Sequence, residues 1–420
     1  QFSEVLLRIS WSAVWNKRLL IEQLTLKQLQ LTVHLNESGN IRVLGLPAPQ
    51  QTNPIADSKS NSLLEGWQVG LQQFNLQNMS LTMETPQQSW PLVVDSLQVS
   101  NVLSWQPSQQ AQFAMQLRYQ QTQWQLDGQG QPFADARSFK GQLQLADLDL
   151  ALGAALVPKP LSRLAGQGHL KLDWSVKQQP DNIELDWNGR ASVTDLQLQK
   201  DDLSFANQRI SWTGQGYLDF NVAHSQLSDL AIAGQLEGHQ LQLTSSRVQQ
   251  PLLSLEHFVF GVDLPGLNQL RVSELALTQL QLNAVTDQMV PLWVAKSIKV
   301  DQVQLSESSH LDIGTLLGQH WQIAIHMNAQ QQPQQWLAWL DAVNPRTTAL
   351  NDEAVDESES QPISPQQTAV KDAPFRLKIN AFELQDSVVD LEFVQYQPSL
   401  QKQLQIKSFT FGPIDTQQPN

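Results

Sequence analysis

The chain has 420 residues, a mass of 47.2 kDa and a net charge of −14 with a pI near 4.9, an acidity that disfavours non-specific binding to nucleic acid or to an anionic bilayer surface. Charged residues make up only 16 %, below the roughly 25 % of an ordinary globular chain, and 63 residues are glutamine, so a neutral amide stands where charge is usual. Hydrophobic residues at 41 % and 13 Trp argue for a folded chain, and the absence of cysteine excludes a disulfide framework, a thiol nucleophile, an iron–sulfur cluster and a Cys-based zinc site.

In chain order, one pattern recurs: apolar, any, apolar, two polar, apolar, any, apolar. Clear copies start at Leu24 (LTLKQLQL), Phe74 (FNLQNMSL), Leu143 (LQLADLDL), Ala191 (ASVTDLQL), Leu253 (LSLEHFVF), Leu275 (LALTQLQL), Ile298 (IKVDQVQL) and Leu404 (LQIKSFTF). Weaker copies start at Leu97 and Leu236, the latter with Gly238 in an apolar slot. Most spacings lie near 22–24 residues or twice that. Period-2 alternation puts apolar side chains on one face of a strand and polar ones on the other. The two-residue break would flip the faces of a straight strand, and a bulge or tight turn there, at a site tolerant of turn geometry, restores them. The expectation is many short amphipathic strands that share one apolar face.

Helical pattern is scarce. One short helix is expected near 152–164, interrupted by Pro158 and Pro160, and another over 334–343 with Trp336, Leu337 and Leu340 on one side. Pro/Asn/Ser-rich residues 47–62 read as a flexible loop, and 344–373, with its NDEAVDESES run, as a disordered acidic and Pro-rich linker or loop. The organisation expected is therefore an N-terminal β-repeat segment (1–46), that loop, repeats over 63–343, the linker, and a C-terminal β-repeat segment (374–420). No apolar run approaches the ~18 residues of a membrane span. Because the chain opens on Gln1 rather than Met, it reads as a segment or processed product, with any anchor or signal lying upstream.

Chemistry-bearing motifs are missing: G-x-S-x-G, a P-loop, G-x-G-x-x-G and H-E-x-x-H do not occur. Gly166-Gln-Gly168 and Gly214-Gln-Gly216 read as strand-end glycines. The eight histidines show no ligand spacing; His320 and His326 fall on the polar face of one strand, about 20 Å apart at ~3.3 Å per residue. Asp147/Asp149 and Asp201/Asp202 fall at turns or on polar faces, with no partner for acid–base work. No catalytic residue, metal ligand or cofactor is expected.

The apolar face remains. It could close into the dry core of sandwiches or barrels, or belong to a sheet that curls without closing and leaves a trough for lipid tails. Two features favour the trough: many amphipathic strands with few helices to cover them, and the link between contiguous apolar surface and binding.

The opening ISWSAVWNKRLLIEQLTLKQLQLTVHLNESGNIRVLGL (Ile9–Leu46), with its turn Asn36-Glu-Ser-Gly39-Asn-Ile41-Arg-Val43, resembles the AsmA-like family of Gram-negative envelope proteins. PLLSLEHFVFGVDLPGLNQLRVSELALTQLQL (Pro251–Leu282) is similar to the allied domain family of unknown function, and PFRLKINAFELQDSVVDLEF (Pro374–Phe393) looks like its strand–turn–strand unit. The chain departs from the family in lacking its N-terminal transmembrane helix and in its high glutamine content. The resemblance implies an all-β fold: a long, twisted, U-shaped open β-groove, apolar inside and polar outside. It also implies periplasmic location with tethering to the inner membrane through a helix outside this chain, and a role in phospholipid transport between inner and outer membrane or in outer-membrane assembly. The function expected is a non-enzymatic lipid conduit, with phospholipid or another acyl-chain lipid as ligand, envelope proteins as possible partners at the groove ends, and no nucleic acid. Candidate groove residues are Leu24, Leu26, Leu76, Leu81, Phe258, Phe260, Leu277, Leu280, Val300 and Phe409. The alternative is a structural or adhesin-like β-repeat protein with a closed dry core.

Overall fold

The structure, a computed structural model, describes residues 3–35, 41–43, 66–84, 89–152, 161–266, 269–286, 290–306, 310–343 and 376–416. The first elements are β1 (Glu4–Ile9), α1 (Trp11–Val14), β2 (Arg18–Lys27), β3 (Gln30–Leu35), β4 (Ile41–Val43), β5 (Gln68–Glu84), β6 (Ser89–Leu103), β7 (Ala111–Tyr119), β8 (Thr122–Gln131) and β9 (Arg137–Asp149). There follow β10 (Leu161–Gln178), β11 (Asn182–Lys200), β12 (Leu203–Asn221), β13 (Gln226–Ser245), β14 (Val248–Gly266), β15 (Gln269–Asn283), β16 (Pro291–Ser306) and β17 (His310–Met327). The chain ends with α2 (Gln334–Val343), β18 (Arg376–Phe393), β19 (Leu400–Phe411) and β20 (Ile414–Asp415). The fold is all-β: the strands belong to one open, mixed sheet. Among the described residues no helix is long and apolar enough to cross a membrane.

The helix expected over 334–343 is α2, with the same bounds. Near 152–164 only the two ends are described. Residues 153–160 lie outside the described residues, and Leu161–Leu164 open strand β10. The expected loop at 47–62 and linker at 344–373 also lie outside the described residues.

The strands are longer than the repeat suggested: β5 has 17 residues, β11 and β12 have 19 each and β13 has 20, against a usual 5–6. The reason lies at the two-residue break. In eight of the ten copies the second break residue takes a left-handed φ of 52–59°: Gln28, Asn78, Asn101, Asp147, Asp195, Gln240, Gln279 and Gln302. One such residue lets side chains three apart share a face without ending the strand. Only in places is the break a bulge with a register shift. Between β9 and β10, Ala146 and Asp147 oppose the single residue His169, because Leu145 pairs Leu170 while Leu148 pairs Gly168. Elsewhere the register runs straight through, as where Gln77 pairs Ser96 and Met79 pairs Val94.

The chain divides into two compact units. The first comprises Gln1–Ala155, Ala165–Thr194 and Ser211–Gly234. Here β1 pairs antiparallel with β2; β2 and β3 lie end to end, parallel to β5; and β5 through β10 continue as an antiparallel meander. The second comprises Leu156–Leu164, Asp195–Ile210 and Gln235–Asn420. In it β14 to β17 form an antiparallel meander, β18 joins β17 in parallel, and β19 and β20 pair with β18. Parallel neighbours need a crossover connection, and α2 lies on the one between β17 and β18.

Candidate functional site

In the second unit the pairing registers line up apolar residues across six strands, β14 to β19, in four rows. The first is Phe260, Leu275, Val300, Leu316, Phe382 and Phe411; the second is Phe258, Leu277, Ile298, Gly318, Leu384 and Phe409. Beyond the break, the third is Leu255, Leu280, Ala295, Trp321, Ser387 and Ile406, and the fourth is Leu253, Leu282, Trp293, Ile323, Val389 and Leu404. Adjacent strands lie about 4.8 Å apart, so each row is about 24 Å long. The break itself forms a parallel line of polar residues between the second and third rows: Glu256-His257, Thr278-Gln279, Lys296-Ser297, Gln319-His320, Gln385-Asp386 and Lys407-Ser408. His320 and Asp386 are left-handed like Gln279, at φ 52° and 46°.

Two substitutions in the rows are compensated locally. At Gly318 the Trp321 ring occupies the space that a β-carbon would need. Ser387, 2 % exposed, accepts the backbone N–H of Trp321 at 3.0 Å and donates to Gln385 O at 2.8 Å, where the left-handed residues interrupt the ladder. The rings continue across the strands: Trp293–Trp321, Trp321–Phe382 and Phe382–Phe409 have centroids 4.8, 6.0 and 6.4 Å apart.

Helix α2 packs on the same cluster through Trp336 and Trp339. Trp336 Nε1 donates to Ala324 O (2.9 Å), at the end of β17, and Trp339 Nε1 to Leu252 O (3.0 Å), at the start of β14. Leu337 and Leu340, expected on the packed side with Trp336, are instead exposed. The packed side runs through the two indoles and Ala342, because an indole both buries more area and finds a carbonyl for its N–H. At the other side of the unit the rows end uncovered: Leu404, Phe409 and Phe411 on β19 are 55, 47 and 53 % exposed.

The first unit repeats the scheme. Leu26, Leu76, Leu97, Met115, Leu126, Leu143 and Leu172 form one cross-strand row, and Leu24, Phe74, Val99, Phe113, Gly128, Gly141 and Trp174 another. Phe113 and Trp174 cover the two glycines from either side, a known way of sealing a glycine in a sheet. Gly214 and Gly216 are likewise strand-interior positions under Trp212 and Trp187, not the strand ends expected. Gly166 and Gly168 also lie within a strand, β10.

Nine of the ten candidate residues fall on these rows, and Leu81 lies outside them. Leu24, Leu26, Leu76 and Leu81 lie in the first unit, where Leu81 pairs with Leu31 and Leu92. Phe258, Phe260, Leu277, Leu280, Val300 and Phe409 lie together in the second. Leu76, Leu280 and Val300 are buried by their neighbours, Phe409 is exposed, and the other six are half-buried. The helical pattern placed Trp336 on the packed side, whereas Trp321 and Trp339 are not among the residues the sequence singles out for the site. The Trp321 copy has glycine in one apolar slot, and helical pattern alone does not tell which face packs.

The polar face carries ion pairs: Arg118 with Asp95 (2.6 Å), Arg247 with Asp202 (3.0 Å) and Arg376 with Asp415 (2.7 Å). Hydrogen bonds from Ser246 and Arg247 hold the Asp202 carboxyl below its usual range. Asp147 and Asp201 are left-handed residues at a break and a turn. His326 faces Glu392 at 3.3 Å and His320 is exposed at a break. The expectation that no histidines gather needs correction. Glu237, His239 and His257 place one ligand-type atom each within 4.8 Å of one another. They come from adjacent strands, β13 and β14, so spacing within the sequence does not reveal them.

No family profile, no curated protein and no solved structure matches this chain.

Proposed function

We propose that this chain is a non-enzymatic periplasmic protein of the Gram-negative envelope that holds acyl chains of phospholipid against the apolar face of its sheet. In that role it would serve lipid transport between inner and outer membrane or outer-membrane assembly, tethered to the inner membrane by a segment outside this chain. The observation that carries the reading is the set of four apolar rows in the second unit, which run across six strands and end exposed at Leu404, Phe409 and Phe411. A contiguous apolar surface of this kind marks a binding site more often than a bare exterior. The resemblance of Ile9–Leu46, Pro251–Leu282 and Pro374–Phe393 to the AsmA-like family supports the same reading.

Each methylene removed from water contributes about 0.8 kcal/mol, so covering half of a 16-carbon chain gains roughly 6 kcal/mol. The rows hold aliphatic and aromatic side chains at even spacing. Such a surface binds hydrocarbon without fixing its position along the row, which suits sliding better than capture. Glutamine on the opposite face lets strands pair without like charges facing one another.

The test is photo-cross-linking in cells, with a photoreactive amino acid at Leu277 or Phe409 and, as control, at exposed Gln279 in the polar line. Phospholipid adducts are expected at the two apolar positions and not at Gln279. Absence of adducts at both apolar positions, with the protein expressed and folded, contradicts the proposal and favours a purely structural β-repeat protein.

A further inference from the structure

We infer that Glu237, His239 and His257 form a binding site for a divalent transition-metal ion of the zinc type on the polar face of the second unit. Both imidazoles turn Nε2 toward the same carboxylate oxygen, Glu237 Oε1, at 2.8 Å from His257 and 3.3 Å from His239. The two rings stack with centroids 4.6 Å apart and planes 25° from parallel. All three ligand-type atoms fit within 4.8 Å. Around a tetrahedral zinc ion with bonds of about 2.0–2.1 Å, ligand atoms stand about 3.4 Å from one another, close to the separations already present. Small rotations of three half-exposed side chains would admit an ion among the atoms that now share protons.

The backbone behind the cluster is fixed by packing on the other face. Gly238, between Glu237 and His239, lies directly against the Phe258 ring, which occupies the volume of any β-carbon there. Phe258 is the neighbour of His257. The contact that locks β13 to β14 on the apolar side therefore sets the three ligands opposite one another on the polar side.

Two imidazoles and one carboxylate favour zinc, nickel, cobalt or copper over magnesium and calcium, which prefer oxygen-only sites. With three protein ligands, the remaining coordination position falls to water. A bound ion would clasp β13 to β14. The assignment rests on these side chains alone and is independent of any lipid on the other face.

Isothermal titration of the full chain with zinc chloride, with magnesium chloride as control, tests it. One equivalent of zinc is expected to bind, with no uptake of magnesium at the same concentrations. His239→Gln, His257→Gln and Glu237→Gln should each weaken zinc binding at least tenfold while circular dichroism stays unchanged. Cobalt added to the unaltered protein should give the visible absorption of a low-coordinate N/O site, a readout that requires no variant. If zinc uptake is the same in the unaltered protein and the triple variant, or if cobalt produces only the spectrum of the hydrated ion, the site does not exist.

Discussion

Gln279, His320 and Asp386 sit at φ 54°, 52° and 46° inside strands, a conformation that costs a non-glycine residue roughly 1–2 kcal/mol. What they gain is alternation: Leu277 and Leu280, three apart, both join one apolar cluster. The break was legible in sequence because two polar residues interrupt a period of 2. Its form was not, since a bulge and a left-handed residue leave the same trace in the pattern. Four of the eight left-handed break residues are glutamine, so part of the glutamine excess serves the break as well as the polar face. Ser387 shows the cost of interrupting a parallel ladder. Its hydroxyl is the partner of a buried backbone N–H at Trp321. Ser387→Ala should lower stability by about 1–3 kcal/mol, read as a lower denaturant midpoint with unchanged slope. No change would mean that the N–H finds another acceptor.

At the scale of elements, the strands were legible as amphipathic and the boundaries of α2 were legible outright. The length of the strands and the packed side of α2 were not. The repeat marks three of the six breaks in the polar line: Glu256-His257, Thr278-Gln279 and Lys407-Ser408. It is hidden at Gln319-His320 by Gly318, at Gln385-Asp386 by Ser387, and at Lys296-Ser297 by overlap with the copy starting at Ile298. On α2, the exposed Leu337 and Leu340 and the packed Trp336 and Trp339 are all apolar, so only the partner carbonyls on β14 and β17 decide the orientation. The helix lies beside the fourth row, bonded to β14 and β17. Replacing both indoles, Trp336→Glu with Trp339→Glu, should release it and raise the binding of an apolar fluorescent dye severalfold while far-ultraviolet dichroism keeps its β-signal. Unchanged dye binding would show that α2 does not shield the rows.

For the molecule as a whole, the candidate groove residues were legible as a set because the same periodicity that builds the strands selects one face. Their degree of cover was not, since it depends on which strand stands at an edge: Leu280 is 6 % exposed and Phe409 47 %, although both hold the same slot in the repeat. The ion-pair partners and the Glu237–His239–His257 cluster depend on cross-strand register and so lay beyond any reading of spacing along the chain. Retention of acyl chains by the apolar face is the function proposed for this chain. Its most direct test is solvent extraction of the purified full chain, followed by mass spectrometry of the extract against a Phe409→Glu, Phe411→Glu variant purified in parallel. Phospholipid is expected in molar proportion to the protein and several times less of it in the variant; an extract free of lipid, or equal amounts from both proteins, rules the proposal out.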